Sequence, residues 1–177
     1  MFHRSERLFL RPAFQEDWAA IKACLEADQE IVRNLARAPW PYGEDAARAF
    51  VALEQNARLP HFLVTLPGEG VIGSAGLGGQ DGAPELGYWI ARDYWGQGYA
   101  TEAAGAVLRI ACTLGHHRII AGHFTDNPAS GRVLAKLGFE PTGRIVDRDS
   151  LARDGRAKSV EYAINLAVDA EEERRAA

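Results

Sequence analysis

The run Trp95-Gly96-Gln97-Gly98-Tyr99-Ala100-Thr101-Glu102-Ala103 carries the clearest chemical signal in the chain. It sets two glycines, an alanine and a hydroxyl residue between a β-rich stretch, Glu85-Leu86-Gly87-Tyr88-Trp89-Ile90, and a helical one from about Thr101 to Leu114. Glycine there permits a sharp turn and lets a ligand come close. The first amides of a helix have no internal partners, and the aligned peptide dipoles put partial positive charge at that end. Such a junction can hold a phosphate or pyrophosphate on backbone N–H groups. Two other readings compete: a glycine pair that only shapes the turn, or a dinucleotide fingerprint. The fingerprint needs Gly-x-Gly-x-x-Gly, but its third position is Thr101 and no acidic residue is evident after a second strand.

Other reactive side chains suggest less. His116, His117 and His123 sit near one another, but adjacent residues entering a strand point in different directions and no acidic ligand accompanies them, so no metal site is expected. Cys24 and Cys112 are isolated and read as buried thiols rather than a disulfide.

The elements that must position the loop follow from periodicity. Leu8-Phe9-Leu10-Arg11 reads as a strand ended by Pro12. Gln15 to Ala27 and Glu44 to Ala57 have helical spacing, separated by an aromatic loop, Leu35 to Gly43. His61–Leu66 and Val71–Leu77 flank Pro67-Gly68-Glu69-Gly70 as a hairpin, and a turn at 78–84 leads to Glu85–Ile90. After the loop come a helix capped at Gly115, a strand at Arg118–Phe124, and a helix opened by Asn127-Pro128 and stopped by Gly138. The strands Thr142–Ser150 and Lys158–Leu166 flank the turn Arg153-Asp154-Gly155. The order is β α α β β β α β α β β: one α/β (α+β) domain, residues 1–168, with a charged, frayed tail at 169–177.

With 177 residues, 47% of them hydrophobic and 25% charged, the chain fits one ordinary globular domain. A net charge of −4 argues against nucleic acid, which needs a basic footprint. No apolar run is long enough to span a bilayer, and Met1 to Arg7 is too polar for a signal peptide, so a cytoplasmic protein is expected, with no membrane partner. Monomer and homodimer both stay open.

Three segments together resemble the Gcn5-related N-acetyltransferase (GNAT) superfamily, in its RimJ/RimL-like branch. They are Glu6-Arg7-Leu8-Phe9-Leu10-Arg11-Pro12, the run from Glu85 through Ala103, and Asn127-Pro128-Ala129-Ser130-Gly131-Arg132-Val133-Leu134-Ala135-Lys136-Leu137-Gly138-Phe139. The resemblance implies a mixed, mostly antiparallel central sheet of about six to seven strands. Helices flank both faces, and the sheet splays at the acetyl-CoA site. It implies acetyl-CoA as co-substrate, no metal, and a primary amine as acceptor, either a protein or peptide N-terminus or a small molecule. The pyrophosphate would rest on amides of Gln97, Gly98, Tyr99, Ala100 and Thr101. The pantetheine arm would add to the strand end at Trp89, Ile90 and Ala91, as an extra strand adds to a sheet edge, where an N–H can hold the developing oxyanion. Asn127 and Ser130 match positions that contact the pantetheine or its sulfur.

The resemblance also suggests Glu85 as the base that takes the amine proton, against the plainer reading of a solvent-facing carboxylate. It suggests Ser130 as acid or sulfur ligand, against a first-turn serine that contacts only backbone. Trp40, Tyr42, Trp89 and Tyr94 either wall an acceptor pocket or pack in the core. Two positions depart from the wider family. Trp95 stands where many members have Gln or Arg, and Leu134 stands where many have a tyrosine that protonates the leaving thiolate. The second departure keeps alive another class of function, an acyl-CoA-binding sensor without turnover.

Overall fold

A computed structural model describes residues 1–79, 83–153 and 155–166. Eight strands form one sheet in the order β1-β2-β3-β4-β5-β6-β8-β7. They are β1 (His3–Arg4), β2 (Phe9–Arg11), β3 (His61–Leu66), β4 (Gly70–Gly78), β5 (Glu85–Ile90), β6 (Arg118–Phe124), β7 (Glu140–Ser150) and β8 (Gly155–Asn165). Every neighbouring pair is antiparallel except β5 and β6. The strand beyond the expected six to seven is β1, two residues long and too short to show alternation.

The helices are α1 (Trp18–Glu26), α2 (Gln29–Arg33), α3 (Glu44–Val51), α4 (Tyr99–Thr113) and α5 (Pro128–Lys136). Helix α4 buries alanines at 103, 104, 106 and 111 along with Val107, Leu108 and Ile110. Small side chains let it lie close to β4 and β5, forming one core with Leu8, Phe62, Ile72 and Phe139. On the other face, Ile21 and Leu25 of α1, Ile31 and Val32 of α2 and Ala47 of α3 pack with Leu63 and Trp89. Strand β4 lies between the two layers and is buried from Ile72 through Leu77, as a strand covered on both faces must be.

Several boundaries differ from expectation. The first helix begins with a 3₁₀ turn at Gln15–Asp17, where the Asp17 carboxylate accepts from Phe14 N and pairs with Arg11. The second expected helix stops at Val51 rather than Ala57, and beyond it the Asn56 side chain accepts from the amides of Arg58 and Leu59 and turns the chain. Helix α2 is too short for its period to be read from the sequence. Helix α4 starts two residues early, at Tyr99. It ends in a Schellman arrangement with Gly115 at φ 75° and His116 N donating to Ala111 O. In the last hairpin β7 begins two residues and β8 three residues earlier than expected, β8 ends one residue early, and the register shifts between Pro141 and Ile145. Cys24 and Cys112 are half-buried and not in a disulfide. The expected turn at residues 80–82, Asp154 and the tail at 169–177 lie outside the described residues.

Candidate active site

Strands β5 and β6 pair only at Glu85↔Ile120 and Leu86↔Ala121 and then diverge. On its other edge β5 keeps its full register with β4, from Gly78↔Glu85 to Gly73↔Ile90. Ala91 N donates to Ile72 O at 2.8 Å, which directs the Ala91 backbone toward β4. Alternation then turns the Trp89 backbone the same way, and those of Tyr88 and Ile90 toward the open edge. Of the three strand-end residues expected to meet a pantetheine arm, only Ile90 therefore presents its backbone to the gap, and Tyr88 joins it. The Ile90 carbonyl already accepts from Trp95 Nε1 at 2.6 Å. The indole that departs from the family pattern thus ties the glycine loop to the strand end.

A cleft of about 490 Å³ runs from this gap along the first turns of α4 and α5. Trp89, Ile90, Gly98, Tyr99, Ala100, Thr101, Asn127 and Ser130 line it, whereas Ala91 and Gln97 do not. Gly96 and Gly98 hold φ of 75° and 84°, the left-handed region that glycine enters without a Cβ clash. Their conformation leaves the opening amides of α4 facing the cleft without helix partners. The loop is braced from the N-terminal segment. Arg7 donates to Gln97 O, lies over the Tyr99 ring and pairs with Glu102. The Glu102 carboxylate also accepts from Ser5 Oγ and Arg7 N, both at 2.7 Å. Burial pulls its pKa upward, but these donors outweigh it and hold the carboxyl below its usual 4.5. Glu102 thus ties the first family-like segment to the second.

The sequence reading missed two cations in this cleft. Arg132 and Lys136, four residues apart on α5, share its lining with the loop amides, and that spacing was visible in the sequence. Asp126 also borders the cleft. Arg153 grips it with two bonds of 2.7 and 2.8 Å, which holds its pKa low and offsets its charge there.

A second cavity, about 670 Å³, extends from the gap over the sheet face covered by α1 and α3. The two cavities share Asn34, Leu35, Tyr88, Trp89, Asn127 and Ser130. Glu85 lines only the second, where its Oε1 accepts from Arg148 Nη1 and its other oxygen has no partner among the described residues. Tyr42 and Trp89 wall this cavity, Tyr94 borders the first, and Trp40 packs in the core beside α1–α3 without lining either. The loop from Leu35 to Tyr42 forms part of the second cavity's rim.

At the junction, Asn127 caps α5 by accepting from Ser130 N at 3.3 Å. The Ser130 hydroxyl lies 2.8 Å from Tyr88 Oη. Burial pushes the Tyr88 phenol up to about 12. Leu134, at the family's tyrosine position, is fully buried in the α4 core. A phenol is present at the site after all, but it arrives from β5. Only knowing that Tyr88 shares the α5-facing side of its strand would have found it.

His61 also borders the second cavity. Ser74 Oγ donates to Phe62 O and so can only accept from His61 Nε2, at 2.9 Å. That fixes the tautomer and leaves Nδ1 with a lone pair and no partner among the described residues. Burial lowers the imidazole pKa to about 4, so the ring is neutral. The other histidines diverge: His116 Nε2 bonds Arg58 O, and His123 Nδ1 bonds Phe124 O. Among the described residues no cluster of His, Cys, Asp and Glu could hold a metal ion, and no helix is long and apolar enough to cross a membrane.

The sequence of residues 7–140 matches the model of the acetyltransferase (GNAT) domain. An uncharacterized N-acetyltransferase of Bacillus subtilis, YoaA, is 34% identical over 147 residues, covering 78% of this chain and 82% of that protein. The [ribosomal protein uS5]-alanine N-acetyltransferase of Escherichia coli is 41% identical over 71 residues, 40% of this chain and 36% of that protein. The crystal structure of a GNAT-family acetyltransferase from Bacillus anthracis superposes with a TM-score of 0.79 at 28% identity, covering 93% of this chain and 98% of that one. With its splayed sheet, its glycine loop at a helix start and two cavities meeting beside Ser130, the chain belongs to the GNAT family and is an acetyl-CoA-dependent N-acetyltransferase.

Proposed function

We propose that the protein acetylates a primary amine by direct attack within a ternary complex, and that its roles divide between the two cavities. The first holds acetyl-CoA. The amides of Gly98, Tyr99, Ala100 and Thr101 receive the pyrophosphate, Arg132 and Lys136 add positive charge, and the open edge at Tyr88 and Ile90 receives the pantetheine arm. The second holds the acceptor. The observation that carries this reading is the shared lining, because Tyr88, Trp89, Asn127 and Ser130 border both cavities where a thioester and an amine must meet.

The amine nitrogen attacks the thioester carbonyl carbon, the C–N bond forms, and the C–S bond breaks. Glu85, through its unpaired oxygen, takes the ammonium proton directly or through a water. Ser130 donates a hydrogen bond to the departing sulfur while Tyr88, whose hydroxyl also reaches Ser130 O at 3.3 Å, turns its proton to Ser130 Oγ, and the thiolate draws its final proton from solvent. A protein N-terminus is the first candidate acceptor, supported by the uS5-alanine enzyme's similarity over the segment it shares with this chain. A small-molecule amine is the second.

The test is thiol release from acetyl-CoA across a panel of N-terminal peptides and small amines. Release that depends on a primary amine is expected. Tight acetyl-CoA binding with no release across the panel would overturn the proposal in favour of a sensor.

A further inference from the structure

Glycine weakens a strand interior and often marks a place where a ligand comes close. On the face of the sheet that floors the second cavity, Gly76 of β4 pairs with Gly87 of β5, and Gly78 pairs with Glu85. Gly122 of β6 borders the same cavity.

Two of these glycines are required by packing. A Cβ on Gly76 would stand 2.7 Å from the His61 ring, and one on Gly122 would stand 3.1 Å from the Arg148 guanidinium. Gly87 and Gly78 differ. A Cβ at either would meet nothing within 4 Å, and neither has a positive φ. The folded chain gives no reason for glycine at Gly87, whose missing side chain would project into the cavity.

The space over Gly87 is a slot. The His61 imidazole covers Gly76 on one side, and Arg148 covers Gly122 on the other. Gly76 is one strand away, paired with Gly87, and Gly122 lies across the gap just beyond the last paired residue of β6. Phe50, which meets His61 edge to face, and Trp89 supply apolar walls. A strand's N–H and C=O groups lie in the plane of the sheet, so its face offers no hydrogen bonds. A peptide backbone laid there would leave its amides unpaired, at a cost that an apolar ring avoids. A cavity of about 670 Å³ also far exceeds the methyl group of an alanyl terminus. The one uncommitted polar atom on the His61 wall is Nδ1, a fixed acceptor.

We propose that the bare face over Gly87 seats a flat, largely apolar body that carries the acceptor's primary amine, and that His61 Nδ1 accepts a hydrogen bond from a donor on that body. The inference rests on the reading of the second cavity as the acceptor's. Both a free arylalkylamine and a peptide beginning with a hydroxylated aromatic residue have this chemistry.

The experiment compares wild type, Gly87→Ala, Gly87→Val and His61→Phe with tyramine, 2-phenylethylamine, ethylamine, and peptides beginning with tyrosine or alanine. The readout is kcat/KM from thiol release. Thermal unfolding and acetyl-CoA affinity report whether each variant is folded, and Gly87→Ala serves if the valine variant is not. Tyramine or the tyrosyl peptide should exceed ethylamine or the alanyl peptide by about 100-fold. Gly87→Val should lower kcat/KM for the aromatic acceptors at least about tenfold more than for ethylamine, and His61→Phe should erase the preference for tyramine over 2-phenylethylamine. Whichever of tyramine and the tyrosyl peptide is used better identifies the source.

Equal use of ethylamine and tyramine, or unchanged selectivity in folded Gly87→Val, overturns this proposal while leaving amine acetylation standing. Acetyl-CoA binding with no turnover on any amine overturns the acceptor reading beneath it.

Discussion

The Tyr88 hydroxyl crosses from β5 to within 2.8 Å of Ser130 Oγ at the first turn of α5, so two hydroxyls in series face the gap where the sheet splays. If they act in series, their losses should not multiply. Tyr88→Phe is expected to lower kcat about tenfold and Ser130→Ala somewhat more, with the double variant no worse than Ser130→Ala. Tyr88 titrates only near 12, so the pH–rate profile of Tyr88→Phe should match wild type through neutral pH. Multiplicative losses in a double-mutant cycle would show that the pair does not act as a unit.

Glu85 lines the second cavity with one oxygen committed to Arg148 and the other without a partner among the described residues. Glu85→Gln should reduce kcat/KM for the amine by about 100-fold and leave acetyl-CoA affinity near wild type, since Glu85 does not border that cleft. Steady-state kinetics over a range of pH provide the check. An unchanged rate and profile would remove Glu85 from the mechanism.

Gly98 at φ 84° precedes α4, and alanine in that region costs about 1–2 kcal/mol. Gly98→Ala should lower Tm by several degrees and raise KM for acetyl-CoA, because the amides proposed to receive the pyrophosphate would shift with the loop. An unchanged KM in a destabilised variant would mean that the amides of Gly98–Thr101 do not hold the phosphate.

The folded-state pKa of Glu102 lies below 4.5, so the stability it contributes is full above that value and is lost as pH falls below it through the folded pKa. At neutral pH, Glu102→Gln should cost about 2 kcal/mol, since a carboxylate accepting from charged and neutral donors is replaced. The difference in Tm between the two proteins should shrink as the pH is taken from 5 toward about 3. A gap that stays constant over that range would mean the charge is not what holds Ser5–Arg7 to the loop.

Leu134→Tyr, which restores the family's more common residue, should not raise activity. The site is fully buried, and overpacking costs about 1–3 kcal/mol. Thermal unfolding and kcat measured together test this, and a gain in kcat at unchanged stability would contradict it.

Much of this was legible in the sequence. The long β runs, the glycine loop and the Asn127-Pro128 helix start carry strong local signals, and the resemblance rests on them. What was not legible depends on which face a residue takes. Tyr88 is one of two adjacent aromatics in β5, and only the pleat turns it rather than Trp89 toward α5. Glu102 is separated from Ser5 and Arg7 by more than half the length of the chain, so its role depends on tertiary pairing that no local pattern reports. The end of α3 and the start of α4 departed from the hydrophobic period, whereas α4 stopped where expected because Gly115 takes the positive φ that ends it. Arg132 and Lys136 were readable as a pair but gained meaning only when α5 was placed beside the loop.

The two cavities overlap at only six residues, and outside that overlap they run along different walls of the molecule. If each cavity takes one substrate as proposed, this layout separates their traffic. Neither has to wait for the other to enter, and spent coenzyme can leave while the acetylated product is still seated. Such a layout favours random-order addition, with coenzyme A competing against acetyl-CoA but not against the amine.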